Sequence, residues 1–196
     1  MTTFLLIRHA DNDWAGRRLA SWLPGVHLNQ KGKEEVVRLT ARLKNVRIDA
    51  IYSSPLERAL ETAEPVAAQA GVPVRISEAI GEVRFGDWTG RTLLDLAADP
   101  LWQRFTSHRS TVRIPGGELM LDLQIRMLQA LEEMSRHHPG STVAVFSHGD
   151  PIRVILMHFL GMPLDLIDRL EIATASISVV TLDDGSPRVV SINVES

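Results

Sequence analysis

The stretch Thr142-Val143-Ala144-Val145-Phe146-Ser147-His148-Gly149 joins a β-branched apolar run to a sharply polar ending. A short continuous apolar run is typical of a strand that is buried on both faces of a parallel sheet. Phe4-Leu5-Leu6-Ile7 has the same character, and Arg8-His9 follows it directly. The two stretches therefore predict two central strands, each with basic side chains at its carboxyl end.

Strand and helix patterns alternate along the rest of the chain. Further strands are predicted over 48–52, 72–76, 177–182 and 189–194, the last two joined by a turn at 183–187. Helices are predicted over 33–44, 56–70, 121–137 and 151–160, with Pro65 expected to kink or divide the second. In the third, Ile125, Leu128 and Leu131 mark the predicted apolar face. This alternation predicts an α/β fold, a three-layer sandwich whose mostly parallel central sheet is flanked by helices.

The chain of 196 residues has the length of one ordinary domain, and no internal repeat or long linker divides it. Residues 1–196 are therefore predicted to form a single domain. The least regular region, around 87–117, contains Trp88, Pro100, Trp102 and Pro115. A segment of this length inside a compact domain usually has a function of its own, so we expect a lid or specificity insert there.

Composition excludes several classes of protein. The chain has no cysteine, which excludes thiolate zinc sites, cysteine nucleophiles and disulfide chemistry. Its net charge of −3 comes without a dense basic run, so nucleic acid is not an expected partner. The sequence contains no recognisable signal peptide or membrane-spanning stretch, which predicts a cytoplasmic protein without membrane contact. An edge strand near the C-terminus could support a homodimer.

Three of the predicted strands end in residues with catalytic potential. Arg8-His9 follows the first strand, Ser53-Ser54-Pro55 the second, and Ser147-His148-Gly149 the strand over 142–146. Ligands of open α/β sheets bind beyond the carboxyl ends of the strands. If these strands are parallel neighbours, their ends and the helix that carries Arg58 converge on one crevice. Each residue alone would more often be structural, but two arginines and two histidines together favour a site for a phosphate dianion.

Five motifs, spread along most of the chain, carry a resemblance to a known family. They are Leu6-Ile7-Arg8-His9, Tyr52-Ser53-Ser54-Pro55-Leu56-x-Arg58-Ala59-x-x-Thr62-Ala63, Glu82-x-x-Phe85-Gly86-x-Trp88-x-Gly90, Pro115-Gly116-Gly117-Glu118 and Ser147-His148-Gly149. In this order and spacing, from residue 5 to about 153, they resemble the histidine phosphatase superfamily, also called the phosphoglycerate mutase-like family.

The resemblance implies a metal-independent phosphomonoester hydrolase that acts on a small phosphorylated metabolite and needs no cofactor. His9 matches the nucleophile that becomes a phosphohistidine, and Glu82 matches the proton donor to the leaving oxygen. Arg8, Arg58 and His148, with Gly149 beside them, match the residues that hold the phosphate. The chemistry agrees with these roles, because an imidazole with a pKa of about 6.5 is largely neutral and nucleophilic near pH 7.

The sequence departs from the family pattern at several positions near the motifs. The residue after the catalytic histidine is usually glycine and is Ala10 here, and the acidic-threonine pair that follows reads Asp11-Asn12. The asparagine often found after Trp14, which helps to hold phosphate in many members, is Ala15. One phosphate contact is therefore expected to be missing or supplied differently.

Three alternatives to the phosphatase interpretation stay open on the sequence. The first is a cofactor-dependent phosphoglycerate mutase, although the insert here is shorter than the one such enzymes carry. The second is a metal-dependent phosphoesterase, suggested by His148-Gly149-Asp150 and His137-His138. The third is a non-catalytic member of the family that binds phosphorylated ligands, for which Ala10 and Ala15 are the best support.

Basic residues in the insert raise a separate question about the substrate. They could contact an anionic substrate body, or they could form a solvated surface: Arg104, His108, Arg109 and Arg113. The tryptophans of the insert, Trp88 and Trp102, are expected to serve packing rather than stacking on a ligand.

Overall fold

A computed structural model describes residues 1–183 and 187–195 of the chain. Its strands are β1 (Thr2–Arg8), β2 (Ala50–Ser53), β3 (Val74–Ile76), β4 (Thr142–Ser147), β5 (Ile177–Leu182) and β6 (Arg188–Val194). Its helices are α1 (Gln30–Leu43), α2 (Glu57–Ala70), α3 (Leu93–Ala97), α4 (Pro100–Ser107), α5 (Met120–His137) and α6 (Gly149–Leu160). Short 3-10 turns cover Glu78–Ile80, Gly86–Trp88 and Leu164–Arg169. Each predicted strand and helix occurs with small shifts at its ends.

The six strands form one sheet in the order β3-β2-β4-β1-β5-β6. Strands β3, β2, β4 and β1 are parallel, whereas β5 pairs antiparallel with β1 and β6 antiparallel with β5. The parallel register aligns Leu6 with Val145 and Ile51 with Ala144. The mostly parallel sheet is thus confirmed, and the ends of β1, β2 and β4 lie side by side.

Alternate residues of the central strands bury two hydrophobic clusters, one on each face of the sheet. Phe4 and Leu6 belong to the cluster that includes buried residues of α5 and α6. Leu5 and Ile7 belong to the second cluster, which includes buried residues of α1 and α2. Because successive strand side chains point to opposite faces, a strand with four apolar residues in a row requires a helical layer on each side. This requirement produces the predicted three-layer sandwich.

The structure differs from two sequence-based expectations about helices. Helix α2 runs through Pro65 without division, and a kink there stays a prediction. Pro65 lies on the exposed side of the helix, where water can reach the carbonyl that lacks its N–H partner. In α5 the buried face comprises Met120, Leu123, Met127, Ala130, Leu131 and Met134, whereas Ile125 is 51% exposed. The helix has more than one apolar stripe, and contact with α6 and the sheet decides which one is buried.

The segment 87–117 packs against the first hydrophobic cluster. Trp88 and Phe105 are buried in that cluster, and Trp102 packs edge-on against Trp88 with ring centroids 5.2 Å apart. The tryptophans therefore serve packing, as expected. A role of this segment as a lid or specificity insert stays a prediction.

The remaining predictions concern the C-terminal strands and the absence of a membrane-spanning stretch. Strand β6 lies at one edge of the sheet, while the homodimer it could support stays a prediction. The turn predicted at 183–187 falls partly outside the described residues. Among the described helices, none has the length and apolar character needed to cross a bilayer.

Gly86 connects the loop after Glu82 to the Pro115-Gly116-Gly117 turn. Its φ of +47° lies in the left-handed region, and a Cβ there would meet the Pro115 carbonyl oxygen at 2.1 Å. Gly140 has a similar φ of +76°, but its Cβ would meet nothing within 4 Å. Alanine at position 140 would therefore add backbone strain alone, whereas alanine at position 86 would add both backbone strain and a steric clash.

We expect Gly86→Ala to lower the free energy of unfolding by about 3 kcal/mol, because left-handed strain and a backbone clash add. The matched control Gly140→Ala should lower it by about 1–2 kcal/mol, from left-handed strain alone. Urea denaturation of both variants measures the difference. Equal losses would show that the chain moves away from position 86 without penalty.

Candidate active site

The carboxyl ends of β1, β2 and β4 meet at a crevice of about 270 Å³. Residues that line it are Arg8, His9, Asn12, Trp14, Ala15, Gly16, Arg18, Leu19, Ala20, Ser21, Arg58, Glu82, Phe85, Gly149, Asp150 and Arg153. His148 lies fully buried beside it, with its ring centroid 5.1 Å from that of His9. The structure therefore brings together every residue that the sequence placed in the site.

Two guanidinium groups are held at the crevice by backbone carbonyls. Arg58 is 1% exposed and donates from Nη2 to the Ser21 carbonyl at 2.9 Å. Arg8 donates from Nη1 to the Ile172 carbonyl at 2.6 Å. Among the described residues, the buried Arg58 Nη1 and Arg8 Nε have no acceptor. Each arginine is thus fixed by one N–H and has another buried N–H without a partner in the described part of the chain.

The loop that carries Ser21 is tied to the segment that carries Glu82. Ser21 has a φ of +46°, and its hydroxyl donates to the Val83 carbonyl at 2.8 Å while accepting from the Phe85 N–H at 3.1 Å. Trp22 Nε1 donates to the Glu82 carbonyl at 2.7 Å. These bonds fix the anchor of Arg58 and the backbone of Glu82 relative to each other.

Arg126 of α5 is a positioning residue that the sequence analysis missed. Its guanidinium donates to the carbonyls of Ala79, Gly81 and Glu82 at 2.7, 2.9 and 2.9 Å. It also pairs with Glu118 of the Pro-Gly-Gly-Glu motif at 2.9 Å. No sequence signal marks Arg126, because the carbonyls it binds lie more than forty residues away.

His9 is 4% exposed and places its Nδ1 2.8 Å from the carbonyl of Ala10. A carbonyl can only accept, so Nδ1 carries the proton and Nε2 keeps its lone pair. Burial, Arg58 and Arg8 hold the pKa of His9 well below its usual range of about 6.5. The imidazole is therefore neutral and nucleophilic at neutral pH.

His148 is neutral for the same physical reasons. Burial, followed by Arg58, His9 and Arg8, holds the pKa of His148 well below its usual range. Its Nε2 lies 2.8 Å from Ser54 Oγ, which also accepts from the Leu56 N–H at 3.4 Å. The Ser54 hydroxyl can then donate to Nε2, which leaves a proton on Nδ1. That buried Nδ1 has no hydrogen-bond partner among the described residues and lies 3.8 Å from Glu82 Oε2.

Glu82 has the properties of a carboxylic acid that is protonated near neutrality. Burial and the Asp150 carboxylate raise its pKa to about 7, against the opposing effects of Arg58 and Arg8. Its Oε1 accepts from the Val83 N–H at 2.9 Å. The neighbouring cation Arg84 pairs with Glu78 at 3.6 Å instead. Glu82 can therefore hold a proton at the crevice and can also release it.

The metal-dependent alternative rested on histidines that do not come together in the structure, while another grouping does. His9, Glu82 and His148 place one ligand atom each within 4.8 Å of one another, a grouping that could hold a cation. Arg8 and Arg58 stand beside this grouping and oppose a further positive charge. His138 instead contacts Tyr52 Oη and Arg75 at 3.0 and 3.2 Å. The His137-His138 pair therefore does not belong to the crevice.

Basic residues of the insert do not line the crevice, contrary to the hypothesis that they contact substrate. Arg109 is buried against the Phe105 ring at 4.5 Å and pairs with Asp168 at 3.4 Å, and Arg113 pairs with Asp122 at 3.3 Å. The fold packs α4 on the hydrophobic cluster and turns these cations away. Arg18 and Arg153 line the crevice instead, and Arg153 pairs with Asp150 at 2.9 Å.

Ala10 fits the site without backbone strain. It is fully buried, it lacks the positive φ that would require glycine, and its N–H donates to Thr62 Oγ1 at 3.0 Å. The replacement of glycine by alanine at this position therefore leaves His9 in its hydrogen-bonded orientation.

Comparison with known proteins identifies the family. The chain matches the histidine phosphatase superfamily (branch 1) over residues 4–195, and it belongs to that superfamily. Phosphoserine phosphatase 1 of Hydrogenobacter thermophilus is 28% identical over 99% of this chain and 93% of the relative. Phosphoglycerate mutase-like protein 4 of Arabidopsis thaliana is 33% identical over 76% of this chain and 67% of the relative. The solved structure of Bacillus stearothermophilus YhfR, 31% identical, superimposes with a TM-score of 0.93 over 100% of this chain and 98% of that one.

We expect NMR titration to distinguish His9 from His27. The lowered pKa should keep His9 neutral at a pH where an unperturbed histidine is already protonated, because protons bind only when the pH falls past the folded-state pKa. A hydrogen bond to the Glu61 carboxylate raises the pKa of His27, so His27 should be mostly protonated at pH 6.5. Long-range ¹H–¹⁵N spectra report both rings. Parallel titration of the two histidines would contradict the electrostatic description of the site.

Proposed function

We propose that the chain is a phosphatase that hydrolyses small phosphorylated metabolites through a phosphohistidine on His9. One observation carries the proposal: at or beside the crevice of His9, buried N–H donors on Arg8, Arg58 and His148 have no acceptor among the described residues, and the His9 imidazole is neutral. Unpaired buried donors are rare in folded proteins, and a tetrahedral phosphate offers the acceptor oxygens that they lack. The named phosphatase among the relatives supports the same activity.

In the first step His9 Nε2 attacks phosphorus while the bond to the leaving oxygen breaks. The leaving oxygen takes its proton from Glu82, whose raised pKa keeps that proton available near neutrality. Arg8, Arg58 and His148 donate hydrogen bonds to the three equatorial oxygens as their charge shifts. The products are the free alcohol, a Glu82 carboxylate and phospho-His9.

In the second step water attacks phosphorus from the side that the alcohol has left. The Glu82 carboxylate takes a proton from this water, and the P–N bond electrons return to Nε2 of His9. Inorganic phosphate leaves, and Glu82 is again protonated. The cycle balances with one water consumed and no metal ion in either step.

The dimensions of the crevice favour a small substrate. Its volume of about 270 Å³ accommodates a phosphoryl group and a short organic body, and Trp14, Arg18 and Arg153 form part of its wall. We propose that residues 1–196 act as one domain and that the 87–117 segment limits access as an insert. Arg18 has an unpaired guanidinium within the described residues and stacks over Trp14 at 5.6 Å, so it is available to an acidic group of the substrate.

Several relatives carry phosphoglycerate mutase names, which supports the mutase alternative, and a direct assay tests it. Phosphoglycerate mutase-like protein 4 is one of these relatives. A mutase supplied with 2,3-bisphosphoglycerate interconverts 2- and 3-phosphoglycerate, whereas a phosphatase releases inorganic phosphate. Assays with and without excess chelator also separate the proposed mechanism from a metal-dependent one, because only the latter loses activity.

Brief exposure to ³²P-labelled p-nitrophenyl phosphate should give a phosphoenzyme that is labile in acid and stable in base, because a P–N bond to imidazole has these properties. His9→Ala should form no adduct and lose turnover. The control His27→Ala alters an exposed histidine outside the crevice and should retain both. An acid-stable adduct, or normal turnover by His9→Ala, would contradict the proposal.

Glu82→Gln should slow phosphorylation by an alkyl phosphate about 10²–10⁴-fold and by p-nitrophenyl phosphate far less, because a nitrophenolate leaves without a proton. The single-turnover rate with the alkyl substrate should also fall as the pH rises through about 7, where Glu82 loses its proton. Glu82→Gln should remove that pH dependence. Equal losses on both substrates would mean that Glu82 only shapes the site.

A further inference from the structure

Asn12 has a buried amide group with one end fixed and the other end free. The residue is 3% exposed and lines the crevice. Its Oδ1 accepts from the backbone N–H groups of Trp14 and Ala15 at 2.9 and 3.0 Å. Its Nδ2 is buried and has no acceptor among the described residues.

The two backbone bonds determine which way the amide points. A carboxamide is planar, and only its oxygen can accept from the N–H groups of Trp14 and Ala15. With Oδ1 held by both, the amide cannot rotate without losing two hydrogen bonds. The NH₂ group is therefore held in place, and an acceptor that enters the crevice is the partner it lacks.

Asn12 and Ala15 occupy adjacent positions in space. The Ala15 N–H donates to the Asn12 carbonyl at 3.2 Å, which closes a turn over residues 12–15. In such a turn the first and fourth Cα atoms lie within about 7 Å of each other. Both residues line the same crevice. A side-chain amide at position 12 can thus reach a region that an amide at position 15 would also reach.

We propose that Asn12 is a phosphate ligand, its Nδ2 donating to an oxygen of the phosphoryl group in place of the asparagine that relatives often carry at the position of Ala15. This assignment rests on the proposed function and extends it to a position where the family pattern has threonine. The amide adds a donor without adding charge. It therefore strengthens phosphate binding without further lowering the basicity of His9.

Substitutions that preserve the turn test the donor. Asn12→Asp keeps the shape and the oxygen that accepts from Trp14 and Ala15, but replaces the donor with a negative oxygen. Asn12→Thr also keeps an acceptor for the turn and removes the NH₂ group. The double variant Asn12→Thr/Ala15→Asn returns an amide to position 15. Asn29→Thr is the matched control. Asn29 Oδ1 accepts from the Gly32 N–H at 2.8 Å, a threonine hydroxyl can still accept there without adding charge, and the residue does not line the crevice.

The primary readout is the equilibrium affinity for inorganic phosphate, measured by calorimetry, with the single-turnover rate of His9 phosphorylation as the second. We expect Asn12→Asp and Asn12→Thr to weaken phosphate binding about 10–100-fold, as for the loss of a hydrogen bond to a charged group. The double variant should recover most of that loss, and Asn29→Thr should match the wild type. Thermal denaturation of every variant shows whether the fold is intact.

Two results would overturn the role of Asn12. One is phosphate affinity within twofold of the wild type in both single variants. The other is a loss that Ala15→Asn does not recover, because that pattern means that Asn12 only caps the turn. Failure of the proposed function is distinguishable, since wild-type protein would then bind phosphate without turnover or phosphoenzyme, and the affinity comparison would still decide the role of Asn12.

Discussion

Burial of the Arg8 and Arg58 guanidinium groups at one crevice is the constraint on which the rest of the site depends. Each group is held by one backbone carbonyl and keeps a further buried N–H that finds no acceptor in residues 1–183 and 187–195. Their positive charge, added to burial, holds the pKa of His9 and His148 well below the usual range. The same charge opposes a cation at the His9, Glu82 and His148 grouping. A phosphate dianion satisfies donors and charge together.

Glu82 is the exception to this electrostatic trend, and its environment explains why. Nearby guanidinium groups favour a carboxylate, but burial and the Asp150 carboxylate outweigh them and raise the pKa to about 7. The proposed nucleophile and the proposed acid are therefore both neutral over a shared range of pH below about 7. Two groups with opposite roles in proton transfer need environments that shift their pKa values in opposite directions, which these residues have.

The supporting structure lies outside the strands themselves. The Ser21 carbonyl accepts a hydrogen bond from Arg58. The Ser21 hydroxyl bonds to the backbone of Val83 and Phe85. Arg126 binds three carbonyls of the segment that leads to Glu82, and Glu118 binds Arg126 in turn. The Pro-Gly-Gly-Glu motif thus contributes to the site through the placement of Glu82, while no atom of Glu118 lines the crevice. Contacts of this kind, made to the residues that carry the reacting groups, hold those groups in place when substrate is absent.

The sequence by itself determined the sheet and the residues at its carboxyl edge. Apolar runs such as Phe4-Leu5-Leu6-Ile7 can only be buried on both faces, and parallel strands bring the residues that follow them to one edge. The tertiary structure alone decided which stripe of α5 is buried, why Arg109 turns to Phe105 and Asp168, and how Arg126 reaches the backbone near Glu82. It also decided that the Asn12 amide is held with its NH₂ group unpaired within the described structure. Periodicity is a local property that the chain carries everywhere, whereas these contacts join residues far apart or depend on the exact path of a loop, and no local pattern encodes them.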